Sequence, residues 1–514
     1  MGSCSEHLMM MTSLINSLEA KKEGAVITCC DVVKCFDTLY LSDMSYFLAK
    51  NEACLKATKV FQKLTDTNML KVQGSEKMFT ITNGVGQGGI VAPRLASAGT
   101  TEVLERKFET HPSPLMYNGV NIILDGFVDD SKVTDTTTEG AKASGVIITK
   151  SLDEMALKAH KDKTVQIVVG HGDYIKKMKA ELAENPTVIQ GFEVKRVDQE
   201  KYLGMLVTSS GVKEMITRNI KAKKAKVIPA AQGLRRLIRN PVLMRIGGVK
   251  SASVMIQAKL VPMALYGAES WLNIDKDQIQ ELEGMMAMAI RKVLSLPKST
   301  NYEAMLHEIQ GIHMEQWVDA LKMNMVTKLM HVKGEGRLYK VLREELLEGV
   351  KGGVIEEMEK LSKKYRIPHV ALHFVKAEDI SKAVRTMSKE KICNAIMLLK
   401  SIPMVPHYRK VEHEHHRFDV SRARAITCFN TGNLVFKDTC PNMFRARDQG
   451  NRDCLEPACG GRDSYLHVRY ECKFYTTKYV DTGKPVWDNA EYILALNRER
   501  IRRWRTPLVI VAPL

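Results

Sequence analysis

Along the N-terminal part of the chain the apolar positions switch between two periods, and each switch marks an element. Leu8, Met11, Ile15 and Leu18 recur at helical spacing. They predict a helix over about residues 5–22, with Ser5 at its N-cap and Gly24 ending it. Ala25–Cys30 is instead an unbroken apolar run, the pattern of a buried strand, and it delivers Asp31 at its C-terminal end. Helix-like sequence then runs to about Asn68. Met78–Thr82 reads as a strand, the glycine-rich Asn83–Gly89 follows, and a helix is expected from Ala92. Leu115–Val120 reads as a strand ending in Asn118-Gly119, a hairpin-turn dipeptide. Ile122–Leu124 leads into Phe127-Val128-Asp129-Asp130, and Ser131–Thr134 leads out, which predicts a β-hairpin with two acids at its tip. A helix over about 139–161, a strand over Val165–Val169 and strand-like runs near 188–197 and 202–207 follow. This order predicts an α+β fold with helices on one side of an antiparallel sheet. From Val212 onward the pattern is helical, and the Met-rich stripe from Met314 to Met330 reads as core. No internal repeat is evident.

Composition narrows the class of partner. A chain of 514 residues has room for roughly two to four domains. Its net charge of +17 and pI near 9.2 create a field that attracts polyanions, nucleic acid first among them. Eleven cysteines scattered along the chain do not form a disulfide framework and suit a reducing compartment. No apolar run is long enough to span a bilayer, and the N-terminus lacks the pattern of a signal peptide. The expectation is an intracellular, soluble protein with no membrane partner.

Candidate chemistry gathers at four places. Asp31 leaves a buried strand, a rigid position that suits a metal ligand and equally a helix N-cap. Asp129 and Asp130 repel one another unless a divalent cation or a shared proton compensates, although acidic pairs also occur in solvated turns. The glycines around Gln87 and Gly88 let the backbone approach a ligand closely and leave amides pointing at it. Cys454, Cys459, His467 and Cys472 can close a tetrahedral zinc site, against the alternative of free thiols, with Cys428 and Cys440 as competing ligands. Between these, Lys213, Arg218, Lys221, Lys223, Lys224, Lys226, Arg235, Arg236 and Arg239 form either a solvated face or a track for phosphates. Arg498, Arg500, Arg502, Arg503 and Arg505 around Trp504 mix charge with a stacking surface.

Taken in order, Asp31-Val32-Val33-Lys34-Cys35-Phe36-Asp37, Asn83–Gly89 and Phe127–Asp130 resemble the motifs of a reverse transcriptase, specifically the non-LTR (LINE-type) retrotransposon enzymes. Lys163-Thr164 is similar to the element that follows them in that family, and Lys201-Tyr202-Leu203-Gly204 to its primer-grip region. Pro262–Trp271 looks like its thumb segment, and the C-terminal cysteine–histidine cluster like its zinc knuckle. The resemblance implies a right-hand polymerase. Partial fingers and palm would occupy 1–210, a helical thumb 211–300, a helical linker 301–425, a zinc-knuckle region 426–480 and a basic segment 481–514.

The implied reaction is RNA-directed DNA synthesis, with RNA template, DNA primer or target, and dNTPs as partners. Asp31, Asp129 and Asp130 would hold two Mg²⁺ ions about 3.5–4 Å apart, helped by the carbonyl of Val32. Phe36 would lie under the sugar and exclude a 2′-hydroxyl, which disfavours an RNA-directed RNA polymerase. Gln87 and Gly88 would shape the nucleotide pocket, and Lys163 would protonate the departing pyrophosphate. Cys454, Cys459, His467 and Cys472 would bind one structural Zn²⁺. A ribonucleoprotein of nucleus and cytoplasm is the expected setting. The family carries more fingers sequence, with a basic triphosphate clamp, ahead of the first helix, so a truncated enzyme is expected. Neither an N-terminal endonuclease nor a nuclease after the knuckle is read in the chain. The alternative from another class is an inactive remnant that still binds nucleic acid.

Overall fold

The computed structural model describes residues 3–38, 103–127, 130–238, 248–296, 300–334, 336–350 and 352–397, two short strands at 69–71 and 78–80, and a few single positions. Helix α1 (Cys4–Lys21) buries Leu8, Met11, Leu14, Ile15 and Leu18 along the expected stripe. Its ends differ from the sequence expectation. Ser3 stands at the N-cap position in place of Ser5, and Lys22, at φ 59°, makes the left-handed C-cap. Gly24 therefore opens strand β1 (Gly24–Cys30). A single helical turn, α2 (Cys35–Thr38), follows Asp31.

Strands β2 (Met69–Lys71) and β3 (Met78–Thr80) form an antiparallel pair. The run expected as one strand at 115–120 is a hairpin of its own, β4 (Met116–Tyr117) and β5 (Val120–Asn121). Asn118 and Gly119 sit at its turn with φ 45° and 69°, the left-handed pair that such two-residue turns require. Then come β6 (Leu124–Phe127), β7 (Asp130–Asp135), α3 (Thr138–Glu154) and β8 (Val165–Gly170). Helix α3 begins where Thr137 accepts a hydrogen bond from Gly140 N–H, and it stops at Glu154, well short of the expected residue 161. The released residues 155–164 form a loop that reappears at the site. Helix α4 (Gly172–Glu184) was not read from the sequence; only Met178 and Leu182 are buried on it, too short a stripe to stand out. Five short strands complete the region: β9 (Val188–Ile189), β10 (Phe192–Glu193), β11 (Lys195–Arg196), β12 (Gln199–Tyr202) and β13 (Met205–Thr208).

The main sheet has the order β11-β8-β1-β7-β6, antiparallel throughout except for the β11–β8 pair. β1 is central, which explains why its sequence is apolar on both sides. Val26 joins Val168, Ala141, Met178 and Leu182 under α3 and α4, whereas Ala25 and Ile27 join Leu8, Met11 and Ile15 of α1. Helices therefore cover both faces of the sheet, not one. The α+β class stands. On the α3 side a buried polar knot ties helix to strand. Ser144 donates to Asp135 Oδ1 at 3.0 Å, and His111 Nε2 lies 3.5 Å from the same carboxylate. His111 Nδ1 accepts from Ser113 N–H.

The helical part begins with α5 (Gly211–Ile238) and α6 (Gly248–Met255), which runs through a π-helical turn into α7 (Val261–Leu265). Next are α8 (Lys276–Leu294), α9 (Tyr302–Glu308), α10 (Met314–Lys328), α11 (Arg337–Glu348), α12 (Val354–Tyr365) and α13 (Ala377–Met397). One hydrophobic core runs from Leu8 to Ile392 and contains the fully buried Trp271. Met314 and Met323 lie in that core, as the stripe predicts. Polar ties add register between the two parts. Tyr266 donates to Leu203 O at 2.9 Å, Asn16 to Gly352 O at 3.1 Å, and Arg337 to both Glu105 and the Leu124 carbonyl. No helix among the described residues is long and apolar enough to cross a membrane.

Candidate active site

The sheet register puts two of the three predicted acids on neighbouring strands. β1 and β7 pair antiparallel as far as Cys30 opposite Ser131, and Asp31 and Asp130 are the next residues along each. β1 stays rigid because it is buried on both sides, and β7 because it is bonded to β1 and β6. Asp129, the third acid, lies outside the described residues.

Lys163 reaches Asp31. Its Nζ lies 3.2 Å from Asp31 Oδ2, with the lysine 63% and the aspartate 22% exposed. The 155–164 loop carries it there. Val33 N–H donates to Lys158 O and His160 N–H to Asp31 O, both at 2.8 Å, and Val32 bridges Ala159. Backbone hydrogen bonds thus clamp both chain segments around Asp31. The solvent-exposed ion pair contributes little to stability. It shows where a cation is drawn in this site.

Two residues further back along each strand, Cys29, Lys132 and Asp125 lie side by side across three strands. Lys132 is 2% exposed, and its Nζ lies 3.2 Å from Asp125 Oδ2 and 5.3 Å from the centre of the Tyr202 ring. His7 of α1 pairs with the other oxygen, Asp125 Oδ1. Burial works against the Asp125 charge, but Lys132 and His7 outweigh it and hold the carboxyl well below the usual range. Burial pushes the Cys29 and Cys30 thiols up to about 12, so neither is a thiolate nucleophile near neutral pH. The sequence reading missed this ionic row, and its signal was faint: Asp125 and Lys132 look like ordinary hairpin charges until the register pairs them.

The other expected residues are placed as follows. Val32 is buried and lines a small apolar cavity with Cys30, Leu104, Ile148 and Leu152. Phe36 falls within α2. Gln87, Gly88, Cys454, His467 and Cys472 lie outside the described residues, and Cys459 is half-buried. Among the described residues no group of three or more His, Cys, Asp or Glu could hold a metal. Asp31 and Asp130, on neighbouring strands, nevertheless carry the oxygen donors that a hard divalent cation takes, and Asp31 already attracts an ammonium group.

The basic stretch proves heterogeneous. Lys213 pairs with Asp275 at 2.8 Å and Arg218 with Glu214 at 2.8 Å. Lys223 turns inward over the Tyr266 and Trp271 rings, and burial pushes it down to about 8. It is no part of a solvated face. Lys221, Lys226 and Arg236 remain exposed on α5.

A search of curated proteins found no match to the chain. Residues 2–207 match the family model for reverse transcriptase (RNA-dependent DNA polymerase), a span from α1 through nearly all of β13 that includes Asp31, Asp130 and Lys163. That stretch is a reverse transcriptase domain, the nucleotidyltransferase domain of an RNA-directed DNA polymerase.

Proposed function

We propose that the chain is the polymerase part of a non-LTR (LINE-type) retrotransposon reverse transcriptase, which extends a primer 3′-hydroxyl with dNTPs on an RNA template. The observation that carries this reading is the Lys163–Asp31 ion pair at the end of β1, next to the strand that begins at Asp130. Asp31, Asp130 and the adjoining Asp129 hold the divalent cations. Bound Mg²⁺ supplies activation of the attacking hydroxyl and neutralisation of the leaving pyrophosphate. Lys163, exposed beside Asp31, holds a proton where the pyrophosphate departs and donates it. The carbonyl of Val32 helps the acids hold the metals, Phe36 lies under the sugar of the nucleotide, and Gln87 and Gly88 shape the template–nucleotide pocket. Exposed Lys221, Lys226 and Arg236 on α5 contact phosphates of the template–primer. Cys454, Cys459, His467 and Cys472 hold one structural zinc, and the protein works as a ribonucleoprotein in nucleus and cytoplasm.

The deciding experiment is primer extension on an RNA template with Mg²⁺ and dNTPs, with Asp129→Ala as control. Extension that vanishes in the variant supports the polymerase. No extension in either, with template–primer binding intact, assigns the chain to an inactive nucleic-acid-binding remnant. Zinc content is a separate test: one metal per chain, lost on Cys459→Ser, supports the knuckle, and purified protein without zinc defeats it.

A further inference from the structure

We infer that Gln190, on the hairpin β9–β10, is a positioning residue for the polymerase site, acting through the loop that carries Lys163. The inference rests on the proposed polymerase reading and adds to it a residue far from the acids in sequence. The Gln190 side-chain amide behaves toward the loop as a peptide group of a neighbouring strand would. Its Oε1 accepts from Ala159 N–H at 2.8 Å, and its Nε2 donates to Leu157 O at 3.0 Å. The same Nε2 donates to Asp153 Oδ1 at 2.7 Å, at the end of α3. The Gln190 backbone N–H donates to Thr149 Oγ1 at 2.9 Å, so the turn itself is fastened to α3.

What the amide holds is the segment on which the site depends. Leu157 and Ala159 are buried, so their peptide groups need protein partners. Ala159 bridges Val32, and the residues on either side bond to Val33 N–H and Asp31 O. Thr164 N–H and Lys163 N–H both return to His160 O, which fixes the direction in which Lys163 leaves the loop. A shift at Ala159 is therefore passed along the loop to Lys163, whereas Asp31 follows β1, which is held on both sides by β7 and β8.

The turn argues that the side chain is there for its reach. Gln190 and Gly191 have φ 41° and 81°, nearly the geometry of Asn118 and Gly119 at 45° and 69°. Such a first position favours asparagine, whose short side chain tolerates the left-handed region. Asparagine stands there in the hairpin at 118–119. At 190 the chain accepts the less suitable glutamine, whose extra methylene spans the distance to the loop. Glutamate would not serve, because a carboxylate would face Asp153 and the Leu157 carbonyl.

The test uses the full chain with Gln190→Asn, which suits the turn but is too short for the loop. Hydrogen exchange is followed at residues 157–163 and in β1 and β8. Exchange at 157–163 is expected to quicken about tenfold, with the β1 and β8 amides unchanged. Extension of oligo(dT) on poly(rA) with Mg²⁺ and dTTP should show kcat falling about ten- to hundredfold with little change in the primer KM. In a Lys163→Ala background the same substitution should cost almost nothing more. Unchanged exchange in the loop, or losses from Gln190→Asn and Lys163→Ala that multiply, would overturn the inference. A wild-type chain that adds no nucleotide would remove the polymerase reading, while the exchange measurement would still decide whether Gln190 fixes the loop.

Discussion

Lys132 on β7 and Asp125 on β6 face each other across the hairpin at 3.2 Å, two residue pairs behind Asp130, with the lysine almost wholly buried. Breaking a buried pair from one side leaves an uncompensated charge. Lys132→Met alone is therefore expected to cost about 3–5 kcal/mol in urea unfolding. Combining it with Asp125→Asn should recover most of that loss. Equal destabilisation in the single and double variants would show that the row is not held by its charges.

Lys163 makes the contrasting case. Its ion pair with Asp31 is exposed on the lysine side, so Lys163→Ala should move the unfolding free energy by less than about 0.5 kcal/mol. Turnover in primer extension should nevertheless fall by about a hundredfold or more, the usual range for loss of a general acid. A variant with normal turnover would remove Lys163 from the chemistry.

Burial raises Asp135, Glu283 and Glu345 each to about 7. A carboxyl raised by folding keeps its proton in the native state after the unfolded chain has lost it. The stability it contributes is complete below the unfolded value of about 4 and is lost as the pH climbs to about 7. Each group gives a falling slope of up to about 1.4 kcal/mol per pH unit in that window. Asp135→Asn, which still accepts from Ser144, should flatten the curve by its share. Unfolding free energies measured across the window decide this, and an unchanged slope would contradict it.

Two glycines in helices should respond with opposite signs. A Cβ on Gly145 of α3 would lie 2.7 Å from the Val188 carbonyl, backbone that cannot turn aside. The alanine helix preference of about 1 kcal/mol is then outweighed by overpacking of about 1–3 kcal/mol, and Gly145→Ala should destabilise. Gly284 of α8 has nothing within 4 Å, so Gly284→Ala should stabilise by about 0.5–1 kcal/mol. Thermal unfolding of both variants tests the pair.

Local chemistry made much of this protein legible from sequence. The stripe on α1, the apolar run of β1 and the pairing of β6 with β7 each follow from nearest-neighbour preferences. Errors clustered where local preference ran out. Residues 155–161 are helix-compatible in sequence, yet the chain leaves the helix at Ala156, φ 52°, because its peptide groups bond instead to Val33, Asp31 and Gln190. Lys223 reads as one more surface cation until Tyr266 and Trp271 close over it.

The sequence by itself determined the class of fold, the strand that carries Asp31 and the order of the motifs. Tertiary structure alone decided that Lys163 reaches Asp31, that Asp125 and Lys132 share a row, and that Gln190 bonds to the loop at Leu157 and Ala159. The physical reason is range. Periodicity and turn chemistry act between residues a few positions apart, whereas strand register and a side-chain amide satisfying a distant buried peptide are fixed only when the whole sheet assembles.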